Sequence, residues 1–328
     1  VSPRPKALFA MREEHLALLF PAPLLRRLDT LADIDVALVA ERFDDPRLDL
    51  ADVEILITGW GCPPIDEALL AAAPRLRAVL HAAGSVKGMI SPAWWERGLL
   101  VSSAAEANAV PVAEYTVGAI LLAGKGVFAL NQRYRRDRSF TLAKIEPGIG
   151  NNGRTVGIVG ASRIGRKVLD LLAPYDLDLC LYDPYTRVPG VRQESLEELL
   201  RRSDIVSLHA PATPETRHML DRARLALMPD GAVLINTARG SLVDTGALIS
   251  ELRSGRLSAI LDVTEPEPLQ PDSPLFDLPN AFLTPHIAGS HGNELSRMGA
   301  VALDELERLV AGLPLAHQVA HEDLDRVA

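Results

Sequence analysis

Three side chains in the second half of this 328-residue sequence have complementary chemistry. Arg239 lies in Asn-Thr-Ala-Arg-Gly-Ser-Leu-Val-Asp, Glu267 in Asp-Val-Thr-Glu-Pro-Glu-Pro-Leu, and His286 in Leu-Thr-Pro-His-Ile-Ala-Gly. An arginine grips a carboxylate through two parallel hydrogen bonds and polarises a neighbouring carbonyl. A histidine gives or takes a hydroxyl proton near neutral pH, and a glutamate beside it orients the ring and favours its protonated form. Each residue type alone is commonplace. What makes the set informative is that all three follow short apolar runs of strand character, and the carboxyl edge of an open α/β sheet is where ligands sit.

The stretch 155–183 supplies a partner for that chemistry. It reads Thr-Val-Gly-Ile-Val-Gly-Ala-Ser-Arg-Ile-Gly-Arg, then a helical run, then Leu-Cys-Leu-Tyr-Asp. Strand, glycine turn, helix, second strand and terminal acid form the βαβ fingerprint of a dinucleotide site. Gly160 permits the tight turn, and Gly165 lets the helix pack close to the strands. The helix start offers unpaired N–H groups to a pyrophosphate. Asp183 accepts from a ribose diol and repels a 2′-phosphate, which favours NAD over NADP. The middle glycine of the pattern is replaced by Ser162, leaving less room for the backbone to approach the phosphates. With a nicotinamide cofactor in place, hydride passes between it and the substrate carbon that Arg239 and His286 serve.

These residues need two alternating α/β segments to hold them. Residues 6–104 read as strands at 7–10, 36–39, 55–58, 79–81 and 99–102. The helices between them are expected at 16–31, at 65–72 behind Pro63-Pro64, and around Trp94. Residues 110–136 read as one long helix. Six strands follow at 156–159, 179–182, 205–209, 232–236, 258–262 and 281–284, which suits a doubly wound parallel sheet. A last amphipathic helix is expected over 293–313. The length allows two domains with real cores, and the 48% apolar composition is globular. A formal net charge of −9 without a long basic run argues against a nucleic-acid binder. Glu114 and Lys125 interrupt the most apolar stretch, 110–130, so a buried helix is expected there and not a membrane span. Cys62 and Cys180 lack redox or metal spacing, the histidines show no metal pattern, and the first residues show no signal-peptide pattern, so a cytoplasmic protein without a metal is expected.

In ordered combination these motifs resemble the D-isomer-specific 2-hydroxyacid dehydrogenases, the family of phosphoglycerate, glyoxylate/hydroxypyruvate and D-lactate dehydrogenases. The matching pieces are 108–114, the nucleotide turn, 208–211 through Thr216, 236–244, 262–268 and Pro285-His286. The resemblance implies that Arg239 binds substrate, that Glu267 is the acid paired with the histidine (Glu265 does not align with it), and that His286 is the general acid/base. It places Arg163 and Ile164 at the pyrophosphate and Asp183 at the ribose. It gives His209, Ala210, Pro211, Thr216, Thr237, Ala238, Asp262, Ala288 and Gly289 to the cofactor's surroundings, alongside Gly160, Ser162, Gly165, Arg239 and His286. Asp262 is expected near the nicotinamide carboxamide. The family's substrate loop falls at 83–86, where the N–H groups of Gly84 and Ser85 are expected to bind the substrate carboxylate.

The loop departs from the family pattern in carrying Ser85 for a glycine and Lys87-Gly88 after the valine, so Lys87 is a candidate for a second acidic group on the substrate. Trp60, after the strand at 55–58, is a candidate wall for the substrate tail. The resemblance implies a Rossmann-type dinucleotide domain, 110–296, inserted in a smaller flavodoxin-like α/β substrate domain, 1–109, completed by a helix in 297–328. It also implies hinge closure, a homodimer built on the helix after 110, and NAD-linked turnover of a small D-2-hydroxy acid. The alternative on the same fold is an NAD(H)-sensing regulatory binding protein, which retains the cofactor site but acts through protein partners.

Overall fold

The computed structural model describes residues 4–140 and 148–324. The outermost ends of the expected domains, 1–3 and 325–328, lie outside the described residues. The chain divides into two compact units: one holds the residues up to Asn108 and those from Ser290 onward, the other Ala109–Gly289. The sequence reading places the second division at 296/297.

The first unit is built on five parallel strands: β1 (Ala7–Ala10), β2 (Val39–Ala40), β3 (Ile55–Thr58), β4 (Ala78–His81) and β5 (Leu100–Ser103). Their order is β2-β1-β3-β4-β5, the flavodoxin-like arrangement. Alternate residues serve opposite cores, as the two-residue period of a strand requires. Ala7, Phe9, Ile55, Ile57, Ala78 and Leu80 face one side; Leu8, Ala10, Leu56 and Val79 face the other. The first side is covered by α1 (Glu13–Leu19), α2 (Ala22–Leu31) and the returning helix Leu295–Val310. The second side is covered by α3 (Glu67–Ala72) and α4 (Pro92–Glu96), whose Trp94 is fully buried.

The second unit begins with α5 (Ala105–Gly124), which crosses the unit boundary, and α6 (Val127–Asp137). Its sheet has seven parallel strands: β6 (Arg154–Val159), β7 (Leu177–Tyr182), β8 (Arg192–Gln193), β9 (Ile205–Leu208), β10 (Val233–Asn236), β11 (Ser258–Leu261) and β12 (Ala281–Leu283). The order β12-β11-β10-β9-β6-β7-β8 is doubly wound, with the switch point between β6 and β9. One face is packed by α5 and α7 (Arg163–Leu172). The other is packed by α8 (Leu196–Arg202), α9 (Arg222–Leu225) and α10 (Thr245–Arg253). Gly157 lets α8 come close: a Cβ there would sit 2.4 Å from Leu199.

Local chemistry shifts several expected elements. The helix expected over 16–31 is two, broken at Phe20-Pro21, where Pro21 caps α2 in an extended conformation. Of the strand expected at 36–39 only Val39 pairs, because Asp35 accepts from the Ala37 N–H at 3.0 Å and turns the chain. Helix α3 starts at Glu67 and not at the prolines; Asp66 caps it, accepting from Leu69 N–H at 3.0 Å, while Ile65 bridges to Ile90. The long helix after 110 starts earlier, at Ala105, and breaks at Gly126, whose φ is +61°. Strand β8, two residues on the sheet edge, has too little pattern to be legible. The last helix, α11, runs Leu295–Val310, entered through a short 3₁₀ turn. Helix α5 is long and apolar enough to cross a membrane by composition, yet it places Ala113, Val117 and Ile120 in the core, as buried helices of globular proteins do.

Candidate active site

The nucleotide turn is shaped by the absence of side chains. At Gly160 φ is +102°, and a Cβ would lie 2.7 Å from the backbone nitrogen of Ala210, across the switch point. A Cβ at Gly165 would lie 2.1 Å from the Gly160 carbonyl oxygen. Ser162, in contrast, is extended with φ −64° and needs no glycine; its Oγ caps α7 by accepting from Gly165 N–H at 3.3 Å. The departure from the glycine pattern therefore installs a helix cap.

Asp183, at the end of β7, is tied into the same turn. Its Oδ2 accepts from Ala161 N–H at 2.7 Å, and its Oδ1 accepts from Tyr185 and Thr186 N–H at 2.9 and 2.8 Å. Arg163 is exposed at the start of α7 and Ile164 half-buried. After β9, Ala210 is buried and Thr216 closes the following loop, donating to the Pro211 carbonyl at 2.6 Å. His209 is buried, its Nε2 bonded to Ser207 Oγ at 2.9 Å, and its Nδ1 has no partner among the described residues. Burial pushes His209 down to about 3, so the ring is neutral. A turn that no Cβ can enter, a capped helix start, a carboxylate at the next strand end and an orphaned ring nitrogen on the buried His209 fit a dinucleotide.

Arg239 follows β10. Asn236 braces it, donating from Nδ2 to the Arg239 carbonyl at 2.8 Å while its Oδ1 accepts from Ala238 N–H at 3.0 Å. Thr237 is buried and its hydroxyl meets Thr116 Oγ1 at 2.9 Å. The half-buried Arg239 guanidinium donates to the Ala238 carbonyl at 2.6 Å. Burial lowers its pKa from the ordinary value, and the charge of Glu267 acts in the opposite direction. Gly240 lets a second loop pass against this one: a Cβ there would lie 2.0 Å from the Thr264 carbonyl carbon and oxygen.

Asp262, after β11, organises the histidine loop. Its Oδ1 accepts from the Thr284 hydroxyl at 2.6 Å and from Ile287 N–H at 2.8 Å, its Oδ2 from Ala288 N–H at 2.9 Å, and its carbonyl from His286 N–H at 3.0 Å. His286 is held in the left-handed region at φ +55°, a conformation that persists where the surroundings over-determine it. Its Nδ1 is hydrogen-bonded to Glu267 Oε1. The bond uses Nδ1 and leaves Nε2 as the second ring nitrogen, and the side chain is 52% exposed. Ala288 is buried and Gly289 half-buried behind it.

The remaining candidates belong to the first unit. Gly84 is half-buried and Ser85 exposed, between the buried Ala83 and Val86. Ser85 Oγ accepts from the N–H of Lys87, which is exposed. Trp60 follows β3, lies 36% exposed and meets His15 edge to face with centroids 5.6 Å apart. His81 is buried against Thr58 at 2.8 Å, and burial pushes it down to about 4. Residues with no motif to announce them hold the site together: Thr116 under Thr237, and Thr284, which bridges Asp262 and the Tyr115 hydroxyl, the latter at 2.8 Å. Thr284 precedes Pro285-His286, and that adjacency is its only signal.

A parallel sheet with a glycine-closed nucleotide turn at its switch point, and an arginine and a Glu–His pair at the same strand ends, defines a Rossmann-type NAD-binding oxidoreductase fold. The model of the D-isomer-specific 2-hydroxyacid dehydrogenase NAD-binding domain matches residues 117–288. The chain is 35% identical over 260 residues to a glyoxylate reductase of Aeropyrum pernix, covering 76% of this chain and 77% of that one. It is 31% identical over 275 residues to a D-3-phosphoglycerate dehydrogenase of Methanocaldococcus jannaschii, covering 80% of this chain and 51% of that one. The chain thus spans about half the length of the phosphoglycerate dehydrogenases it matches. Among solved structures, a D-isomer-specific 2-hydroxyacid dehydrogenase from Xanthobacter autotrophicus Py2, in complex with NADPH and MES, superposes with a TM-score of 0.74 at 25% identity, over 96% of this chain and 98% of that one. This chain belongs to the D-isomer-specific 2-hydroxyacid dehydrogenase family.

Proposed function

We propose that the chain is an NAD-linked oxidoreductase that interconverts a small D-2-hydroxy acid and its 2-keto acid. The observation that carries this reading is the His286–Glu267 hydrogen bond, on the same sheet edge as the half-buried Arg239. Arg239 holds the substrate carboxylate and polarises the C2 carbonyl. A bound NADH supplies the hydride that C2 accepts. His286 gives its Nε2 proton to the carbonyl oxygen, while Glu267 at Nδ1 steadies the ring and its positive charge. The relatives' names make glyoxylate and phosphoglycerate the first substrates to try, and the family resemblance adds hydroxypyruvate. The Asp183 carboxylate supports NAD over NADP. Two unpaired cysteines suit a reducing cytoplasm, and the exposed Leu122 and Tyr134 of α5 and α6 suit a homodimer, checked by sedimentation.

The test is NADH and NADPH oxidation against glyoxylate, hydroxypyruvate, its phosphate, pyruvate and dicarboxylic analogues. Fast turnover of one acid with NADH is expected. Tight NADH binding without turnover across the panel would overturn these acids as substrates, leaving a different 2-keto acid or a cofactor-sensing regulator.

A further inference from the structure

Glu267 is one of two glutamates in a run of four residues, Glu265 to Pro268, and the other also holds a histidine. Glu265 Oε2 meets His218 Nε2 at 3.0 Å, and Glu265 Oε1 accepts from Arg217 Nη1 at 2.7 Å. Two of the three non-glycine residues with positive φ among the described residues are the histidines of these pairs, His218 at +50° and His286 at +55°. A left-handed histidine is kept only where several contacts agree on it. At His218 these contacts are the Glu265 carboxylate and a backbone bond from its N–H to the Ser241 carbonyl at 2.8 Å.

The surrounding bonds give that pair a direction of action. The loop carrying Arg217 and His218 is zipped to the segment after Arg239: Leu220 N–H donates to Leu242 O, and Asp244 N–H donates to Leu220 O, both at 3.0 Å. The Glu265 carbonyl accepts from the Thr245 hydroxyl at 2.9 Å. Thr264 and Glu265 press on Gly240, where a Cβ would be 2.0 Å from Thr264 and 2.6 Å from Glu265 N. Thr264 Oγ1 donates to the Pro266 carbonyl at 2.9 Å. The peptide that ends in Glu267 is therefore held by its side chain, its carbonyl and its packing. All three restraints come from the loop after β9, the loop after β10 and the first residue of α10.

We propose that Glu265, clamped by Arg217 and His218, is a positioning residue that sets Glu267 against His286. It never touches substrate; its effect passes through Glu267. The inference deepens the dehydrogenase reading and rests on it for its kinetic arm. Arg217 and His218 hold the Glu265 carboxyl below its usual range, so Glu265 is a carboxylate at neutral pH.

The experiment is a double-mutant cycle on the full chain. Glu265→Ala is expected to lower kcat about tenfold, with the substrate KM and the NADH dissociation constant each within about twofold of wild type. Introduced into Glu267→Ala, the same change is expected to cost less than twofold further, because the residue through which it acts is gone. A full tenfold loss in both backgrounds would show an independent structural role and overturn the proposal, as would an unchanged kcat in the single variant. His218→Gln, which keeps a donor toward Glu265, is expected to retain more activity than His218→Ala. Should Glu265→Ala not fold, Glu265→Gln takes its place in the cycle. A second arm needs no turnover: in histidine-labelled protein, Glu265→Ala is expected to shift the His286 ring resonances in the same direction as Glu267→Ala. An unmoved His286 resonance would overturn the clamp even if the dehydrogenase reading stood. A shifted one in a chain without turnover would uphold the clamp while that reading failed.

Discussion

Arg239 and His286 are expected to fail differently when removed. In the proposed reaction the arginine serves binding and carbonyl polarisation together, so Arg239→Ala should cost about a thousandfold in kcat/KM. In the same proposal the histidine serves the proton, so His286→Ala should lower kcat by about 10²–10⁴ while NADH binding stays within a few-fold. Stopped-flow turnover with near wild-type kcat in the histidine variant would remove its assignment. Two other histidines govern stability. His81 and His209 are buried and neutral, with folded pKa values of about 4 and about 3. Below the ordinary histidine value of about 6.5 the unfolded chain takes up protons that the folded chain refuses. Stability should therefore fall with pH from there downward, at about 1.4 kcal/mol per unit for each ring, until the folded values are reached. Urea unfolding of wild type and His209→Asn between pH 7 and 5 checks this: the variant should lose less stability over that interval. The Glu267–His286 pairing was legible because these types, each after a strand, are rare in combination. Thr116 and Thr284 were not, because a hydroxyl acquires its partner from tertiary contact, and nothing in its neighbours along the chain reports that.

At the scale of elements, two glycines should separate cofactor binding from chemistry. A methyl at Gly165 collides with the Gly160 carbonyl at 2.1 Å, inside the nucleotide turn, so Gly165→Ala should weaken NADH binding strongly. A methyl at Gly240 collides with Thr264 at 2.0 Å, outside that turn, and pushes apart the loops of Arg239 and Glu267. Gly240→Ala should thus bind NADH within a few-fold of wild type and lose kcat by about a hundredfold; equal loss of binding in both variants would contradict the separation. Titration of NADH fluorescence beside initial rates decides it. The nucleotide turn and its flanking strands were readable because the apolar runs of β6 and β7 and the glycine spacing are local patterns. The helix breaks were harder. Between residues 16 and 31 the apolar period runs through Pro21, and only the cap geometry at Pro21 shows two helices. Strand β8 escaped notice because two edge residues carry no period, and the start of α3 was misplaced because Asp66 outcompetes the prolines as a cap.

For the molecule as a whole, the expected cofactor contacts all lie between Gly160 and Gly289, in the second compact unit. A ligand that binds the folded state alone stabilises it by RT ln(1 + [L]/Kd), about 2.7 kcal/mol at a hundred times Kd. For a unit of this size each kcal/mol moves the midpoint by about 2–4 °C, so saturating NADH should raise the transition that reports on the second unit by about 5–10 °C. Charge should make the shift selective. The chain carries a net −9, and the Asp183 carboxylate already accepts three backbone N–H groups, so it cannot swing away from an incoming 2′-phosphate without releasing the nucleotide turn at Ala161. NADPH should therefore stabilise less than NADH at equal concentration. Asp183→Asn keeps an acceptor for the turn but removes the charge, and it should narrow the difference between the two cofactors in calorimetry. Equal shifts with both cofactors in the wild-type chain would mean that the 2′-phosphate leaves toward solvent, and the NAD assignment would fall. A clear NADH shift combined with no turnover of any 2-keto acid would instead separate binding from catalysis, and the same calorimeter, loaded with NADH and each acid in turn, would then show whether a substrate is bound at all.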